Sequence, residues 1–180
     1  MRLRKIAIIG PESTGKSVLT KQLAAHFHTL HVEEYARHYL ETHGTDYTLA
    51  DLWKIAQGQM QAEDAAINQC KTYGKQLLFV DTEMYVIKVW SEFVFNACDN
   101  RVLQQITSRE YDMFLLCNTD LPWTKDNLRE YPDHETRRKL FYHYHDLLVN
   151  QQVPWAVISG LGEQRLQHAI GALSQNLSIR

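Results

Sequence analysis

"GPESTGKS", residues 10–17, follows the apolar run "IAII" at 6–9 and leads into a helical stretch from Ser17 to Phe27. Its form is G-x-x-x-x-G-K-[ST], the phosphate loop of an NTPase, and it stands between a strand and a helix, the context such a loop requires. Gly10 and Gly15 permit backbone geometry that turns successive N–H groups toward an anion, and the helix behind them offers its positive N-terminus. Lys16 can reach the β- and γ-phosphates of a nucleotide, and the Ser17 hydroxyl can bind Mg2+. The nucleotide contacts expected are therefore Gly10, Pro11, Glu12, Ser13, Thr14, Gly15, Lys16, Ser17 and Val18.

Three further apolar runs punctuate the chain: "LLFV" (77–80), "MFLLC" (113–117) and "WAVI" (155–158), with a weaker "LHV" at 30–32. They are continuous rather than alternating, as strands covered on both faces of a parallel sheet should be. Helical patterns lie between them, at 49–70, 85–97, 135–149 and 163–177. The stretch 85–97 is apolar almost all round and is expected to be buried along its length. Strands alternating with helices predict an α/β P-loop NTPase: a five-stranded parallel sheet, helices on both faces, and right-handed crossovers. No repeat, low-complexity tract or linker divides residues 1–180, which are expected to form a single domain.

A formal net charge of −2 leaves no basic field for holding a nucleic-acid backbone or an anionic membrane, so neither is expected as a partner. Cys70, Cys98 and Cys117 are odd in number and far apart, which suggests neither a disulfide framework nor a zinc site. The histidine pairs 26/28 and 143/145 are two residues apart, a spacing that points them in different directions on a helix. The basic N-terminus precedes only four apolar residues, too few for a signal peptide, and no stretch approaches membrane-spanning length. A cytoplasmic protein is expected.

A phosphate loop needs a second group to handle the metal. "LLFVDTE" delivers Asp81 at the end of a buried strand, the edge where α/β sheets bind ligands. A carboxylate there can hold Mg2+ or orient an attacking hydroxyl; otherwise it would merely cap the next helix. A GTPase switch would show D-x-x-G here and N-K-x-D further on, and both are missing. An AAA-type motor carries a helical lid domain after its core, for which the sequence leaves no room. These absences favour a small-molecule kinase. Such an enzyme excludes water with a lid that supplies arginines. The polar stretch 119–140 fits, with Arg129 as the expected phosphate contact and at most one of Arg137 and Arg138 facing the site. For the acceptor, "HVEEYAR" (31–37) places Glu33 and Glu34 just past the second strand. A carboxylate there can take the proton of a hydroxyl or bind sugar hydroxyls, and adjacent residues diverge, so only one should serve. Glu34 is the chosen candidate, with Glu33 and Asp81 the alternatives for the base.

With "GPESTGKS", "EEYAR", "DLWKIAQGQ", "LLFVDTE", "PWTKDNLRE" and "VISG" in this order, the chain resembles the ribosylnicotinamide kinase domain of the NadR-type NAD-biosynthesis proteins. The first motif is shared by many NTPases; "EYAR" with "PW…D.LR" is much narrower. The resemblance implies a P-loop kinase phosphorylating the 5′-hydroxyl of nicotinamide riboside with Mg·ATP, with no nucleic acid or membrane involved. Lys16, Asp81, Glu34 and Arg129 would be its catalytic residues, Ser17 and Asp81 its metal residues, and the adenine would rest near the loop after Ser159. Bifunctional members carry a preceding adenylyltransferase domain; no H-x-G-H signature appears here, so kinase chemistry alone is expected. Some members have an aromatic residue just before the "EY" pair where this chain has Glu33, which leaves Tyr35, Tyr47, Trp90 and Trp123 as candidates for a stacking face. The alternatives are a kinase for another nucleoside and a non-catalytic ATP-binding regulator.

Overall fold

In a computed structural model describing residues 2–179, five parallel strands form one sheet in the order β2-β3-β1-β4-β5. The strands are β1 (Arg4–Ile9), β2 (Leu30–Val32), β3 (Leu77–Asp81), β4 (Met113–Cys117) and β5 (Trp155–Ile158). The helices are α1 (Lys16–His26), α2 (Tyr35–His43), α3 (Leu49–Thr72), α4 (Met84–Phe95), α5 (Asn100–Ser108), α6 (His134–Val149) and α7 (Glu163–Leu177). The expected fold class, an α/β P-loop NTPase with helices on both faces, is what the chain adopts. No helix among the described residues is long and apolar enough to cross a membrane.

The first strand lies in the middle because both of its faces and both of its edges are covered. Ile6 and Ile8 pack with α1 and α7 residues such as Leu19, Leu23 and Leu173. Ala7 and Ile9 point the other way, into a cluster with Val80, Val86, Leu140 and Tyr144. Alternation of side chains across a strand divides one apolar run between two cores. A third cluster joins α2, α3, α4 and α5 through Leu40, Leu52, Ile55 and Ile87.

Helix α3 starts on a capping box, in which the Thr48 side chain accepts from the Asp51 N–H while Asp51 accepts from the Thr48 N–H. Helix α4 is capped by Glu83, whose carboxylate accepts the Tyr85 N–H at 2.9 Å and is pushed up to about 8 by burial. Two short helices, α2 and α5, escaped the periodicity reading. Each has only nine residues, too few turns for an apolar stripe to stand out. The expectation that 85–97 is buried throughout is also corrected. Val86, Ile87 and Val89 are buried, but Phe93 and Val94 near the end of the helix reach solvent, and Phe93 borders the open cleft described below.

Gly58 in α3 lets α2 approach closely. A Cβ built there would stand 2.0 Å from a ring carbon of Tyr35, the first residue of α2. Ala ordinarily stabilises a helix interior by about 1 kcal/mol relative to Gly. Here overpacking should win: Gly58→Ala is expected to destabilise by ~1–3 kcal/mol in urea unfolding. A stabilised variant would refute this packing.

Candidate active site

Strand register builds the floor of the cleft. Ile8 of β1 pairs with Asp81 of β3, and Ile9 with Leu116 of β4. The chain leaves β1 at Gly10, where φ is 136° and a Cβ would stand 2.8 Å from the Cys117 carbonyl oxygen. Gly15, at φ 75°, precedes α1 and brings no side-chain cap, so the helix's first N–H groups remain free for an anion. Thr14 donates to the Pro11 carbonyl at 2.7 Å, and the Lys16 ammonium donates to the same oxygen at 3.0 Å. Lys16 is thus held within its own loop by one neutral acceptor. Behind the loop, Arg165 donates to the carbonyls of Thr14 (2.9 Å) and Asn118 (3.1 Å) and to the Asp120 carboxylate (2.8 Å). Sequence reasoning missed Arg165, since an arginine in the first turn of an amphipathic helix looks like a solvated charge.

Asp81 is 1% exposed, and neither of its carboxylate oxygens has a hydrogen-bond partner. Glu83 caps α4, so Asp81 is not needed there. Burial, and then the charge of Glu34, push the Asp81 carboxyl up to about 6, opposed by Lys16 and the Ser17 and Thr82 hydroxyls nearby. The next residue, Thr82, has φ 72°, a left-handed backbone that β-branched residues rarely adopt. Two donor-free buried carboxylate oxygens beside a serine hydroxyl make a set of hard oxygen donors, which suits Mg2+.

The two glutamates diverge, as their adjacency required. Glu33 turns outward and pairs with Lys21 at 2.7 Å, which holds its carboxyl below the ordinary range. Glu34 is the residue before α2, leaves its side chain out of the cap, and lines the cleft with Ser17; both also border an adjoining groove with Asp81, whose outer edge Glu33 lines. Gln59 fixes this arrangement from below. It accepts the Tyr35 N–H at 2.8 Å and donates to the Asp81 carbonyl at 3.1 Å, tying the start of α2 to the end of β3. It is 1% exposed, and in the sequence it closes the motif "DLWKIAQGQ" as a polar residue on the buried side of α3.

Residues 119–133 cross over the phosphate loop, and Glu12 holds them there. Its carboxylate accepts from the N–H groups of Glu130 (2.9 Å) and Tyr131 (2.7 Å) and from the Trp123 indole (3.3 Å). The Ser13 hydroxyl accepts the Thr124 N–H at 3.1 Å, and Arg37 pairs with Asp126 at 3.0 Å. Arg129 lines the cleft and donates to the Thr124 carbonyl. Glu12, expected only as a nucleotide contact, therefore also binds this overlying segment. Val18 lies at the exposed edge of the cleft. Of the aromatic candidates, Trp90 lines the cleft and donates to Tyr47 at 2.7 Å. Trp123 is taken by Glu12, and Tyr35 is packed on Gly58. Phe93, Tyr131 and Tyr144 line the same space, about 1090 Å3 counted to its open mouth.

A family model described as an AAA domain matches residues 5–165. The chain belongs to this AAA domain family. Within it, the sequence is 32% identical over 131 residues to the Trifunctional NAD biosynthesis/regulator protein NadR of Escherichia coli (strain K12), covering 71% of this chain. The chain spans 31% of the length of that curated relative. Among solved structures, the AAA domain is similar to a NadR protein in complex with NR, at a TM-score of 0.82 and 22% identity over 99% of this chain and 50% of that one. A NadR protein in complex with NAD and AMP-PNP matches at a TM-score of 0.73 and 20% identity over the same shares.

Three hydrogen bonds to a single carboxylate make Glu12 the latch of the overlying segment of this AAA domain. At ~1 kcal/mol each, their loss should raise the open population by more than tenfold. Glu12→Ala should therefore speed tryptic cleavage after Lys125 and Arg129 by at least that factor, with the global unfolding midpoint little changed. Unchanged cleavage would show that other contacts hold the segment.

Proposed function

We propose that this chain is a Mg·ATP-dependent kinase that phosphorylates the 5′-hydroxyl of nicotinamide riboside, giving nicotinamide mononucleotide. One observation carries the chemistry: Asp81 with two oxygens that no group hydrogen-bonds lies with Ser17 and Glu34 around one groove, and Ser17 and Glu34 also line the adjoining phosphate-loop cleft that Arg129 borders. A regulator that only holds nucleotide has no need of a second acid facing the bound phosphates. The acceptor reading rests on likeness to NadR in both sequence and fold, including a NadR protein solved with NR. The AMP-PNP complex of a NadR protein supports ATP as the donor. We place the whole reaction in a single domain spanning residues 1–180, working in the cytoplasm on a small nucleoside.

In this reading, the free N–H groups at the start of α1 hold the β-phosphate, and Lys16 leaves the Pro11 carbonyl for the β- and γ-phosphates. Ser17 and Asp81 would hold Mg2+, which would neutralise charge on the phosphates. Glu34 takes the proton of the nucleoside hydroxyl as its oxygen bonds to the γ-phosphorus and the bond to ADP breaks. Arg129 stabilises charge on the transferring group, and the latch at Glu12 keeps the segment over the site so that water is excluded. A cationic nicotinamide ring would be favoured by the acids around the cleft and by the aromatic side chains of Trp90, Phe93 and Tyr131 that line it.

The deciding assay is ATP consumption against a panel of nucleosides that includes nicotinamide riboside. Selective turnover of nicotinamide riboside is expected, falling at least ~100-fold in Glu34→Gln if a general base is lost. Lys16→Ala should abolish turnover with every acceptor. Preference for an uncharged nucleoside would overturn the acceptor and leave the kinase. ATP hydrolysis indifferent to any nucleoside would overturn the kinase.

A further inference from the structure

Residues 119–133 are held over the cleft from two sides. On the side of the phosphate loop, Glu12 accepts the N–H groups of Glu130 and Tyr131, and Ser13 accepts that of Thr124. On the other side, Arg37 of α2 pairs with Asp126. There too the Tyr47 hydroxyl, from the connection between α2 and α3, donates to the Glu130 carboxylate at 3.1 Å. The same hydroxyl accepts the Trp90 indole N–H at 2.7 Å. One oxygen thus joins the overlying segment to helix α4. Burial first, and then the charge of Glu130, raise the Tyr47 phenol above its ordinary value, so it keeps the proton that Glu130 accepts.

What that oxygen holds is a wall of the cleft. Along α4, Val86, Val89, Trp90 and Phe93 recur at helical spacing, and all four line the cleft. An indole has a single N–H donor, and Trp90 spends it on Tyr47. The two rings also meet edge to face, with centroids 4.8 Å apart and planes at 69°. Phe95 backs the Tyr47 ring in turn, at 6.0 Å and 78°. Trp90 cannot turn in the cleft without breaking its only hydrogen bond. Tyr47 stands behind Trp90 rather than in the cleft, so whatever it does for a ligand it does through that ring.

We propose that Tyr47 is a positioning residue for the acceptor. Its hydroxyl sets the Trp90 ring as the wall against which the planar base of the nucleoside packs, and ties that wall to the overlying segment through Glu130. The inference rests on the kinase reading above. A base resting on Trp90 favours the ring orientation that Tyr47 accepts, and Tyr47 so engaged holds Glu130. The bound acceptor and the closed segment therefore stabilise each other, and the coupling is reciprocal. The contacts that Glu12 and Ser13 make on the nucleotide side do not pass through Tyr47. Loss of the hydroxyl should accordingly fall on the nucleoside and spare ATP.

The test compares wild type with Tyr47→Phe, which removes the oxygen alone, Trp90→Phe, which keeps a ring and removes the donor, and the double variant. Thermal midpoints, kcat, and KM for the accepted nucleoside and for ATP are measured. Tryptic cleavage after Arg129 is timed with and without that nucleoside. Loss of two hydrogen bonds should raise the nucleoside KM of Tyr47→Phe ~10-fold, with kcat and the KM for ATP within about twofold of wild type. Added nucleoside should slow cleavage of the wild type, and protect Tyr47→Phe at least ~3-fold less. Because the two side chains act as a unit, the double variant should raise the nucleoside KM no further than Trp90→Phe alone. A wild-type nucleoside KM in Tyr47→Phe, or effects that multiply in the double variant, would overturn the proposal. So would a lowered midpoint with both KM values raised alike, which marks a structural residue. If Tyr47→Phe does not fold, Glu130→Ala and Glu130→Gln take its place. A nucleoside KM raised in Glu130→Ala and restored in Glu130→Gln, which still accepts the hydroxyl, would support the proposal, and no difference between them would overturn it. Wild-type protein that transfers phosphate to no nucleoside would instead sink the kinase reading itself, and the inference with it.

Discussion

The parallel pairing of β1 with β3, which sets Ile8 opposite Asp81, is the constraint on which the site depends. Two residues after Ile8 the phosphate loop begins, so the register brings its anion-binding N–H groups and a buried acid to the same edge of the sheet. Because side chains alternate along a strand, a slip of one residue would send Asp81 to the opposite face. With apolar residues on both faces of β1, Ile6 and Ile8 in one core and Ala7 and Ile9 in the other, a slip would exchange side chains of different volume between two close-packed cores. Packing therefore fixes the chemistry through the register. Strand β4 completes the floor by letting the Cys117 carbonyl approach Gly10 more closely than any side chain there would allow.

Around that floor, acids of similar appearance are given different work by their partners. Glu33 is neutralised by Lys21 at the surface, and Asp126 by Arg37. Glu12 is occupied by two backbone N–H groups and an indole. Glu34 and Asp81 alone among these face the phosphate loop without a donor that claims them. Burial, and then the charge of Glu34, raise the cost of ionising Asp81. A divalent cation held there would relieve that cost, which gives Asp81 a physical reason to prefer an occupied site.

The buried cations follow the same logic. Arg165 braces the loop through a carboxylate and three backbone carbonyls, whereas Lys16 rests on a single carbonyl, a contact weak enough to exchange. Glu12 links this to the overlying segment, because the loop that receives phosphate also carries the carboxylate that holds the segment down. Binding and closure thereby share residues.

What the sequence determined by itself was whatever depends on near neighbours in the chain. Gly10 to Ser17 makes its own anion site from consecutive residues, and the strands around it are short apolar runs bounded by polar ones. The fold class, all five strands and the larger helices were legible for that reason. Asp81 was legible as an acid at a strand end, and the divergence of Glu33 from Glu34 followed from their adjacency. What only the tertiary structure decided involves residues far apart in the chain. Gln59 joins Tyr35 to Asp81, Glu12 meets residues more than a hundred positions later, and Arg165 reaches back to Thr14. Arg137 and Arg138 are chemically equal in the sequence, and their difference comes from which face of α6 packs inward. No local pattern encodes such choices, because a side chain's charge state and partners are set by burial, and burial is a property of the whole fold.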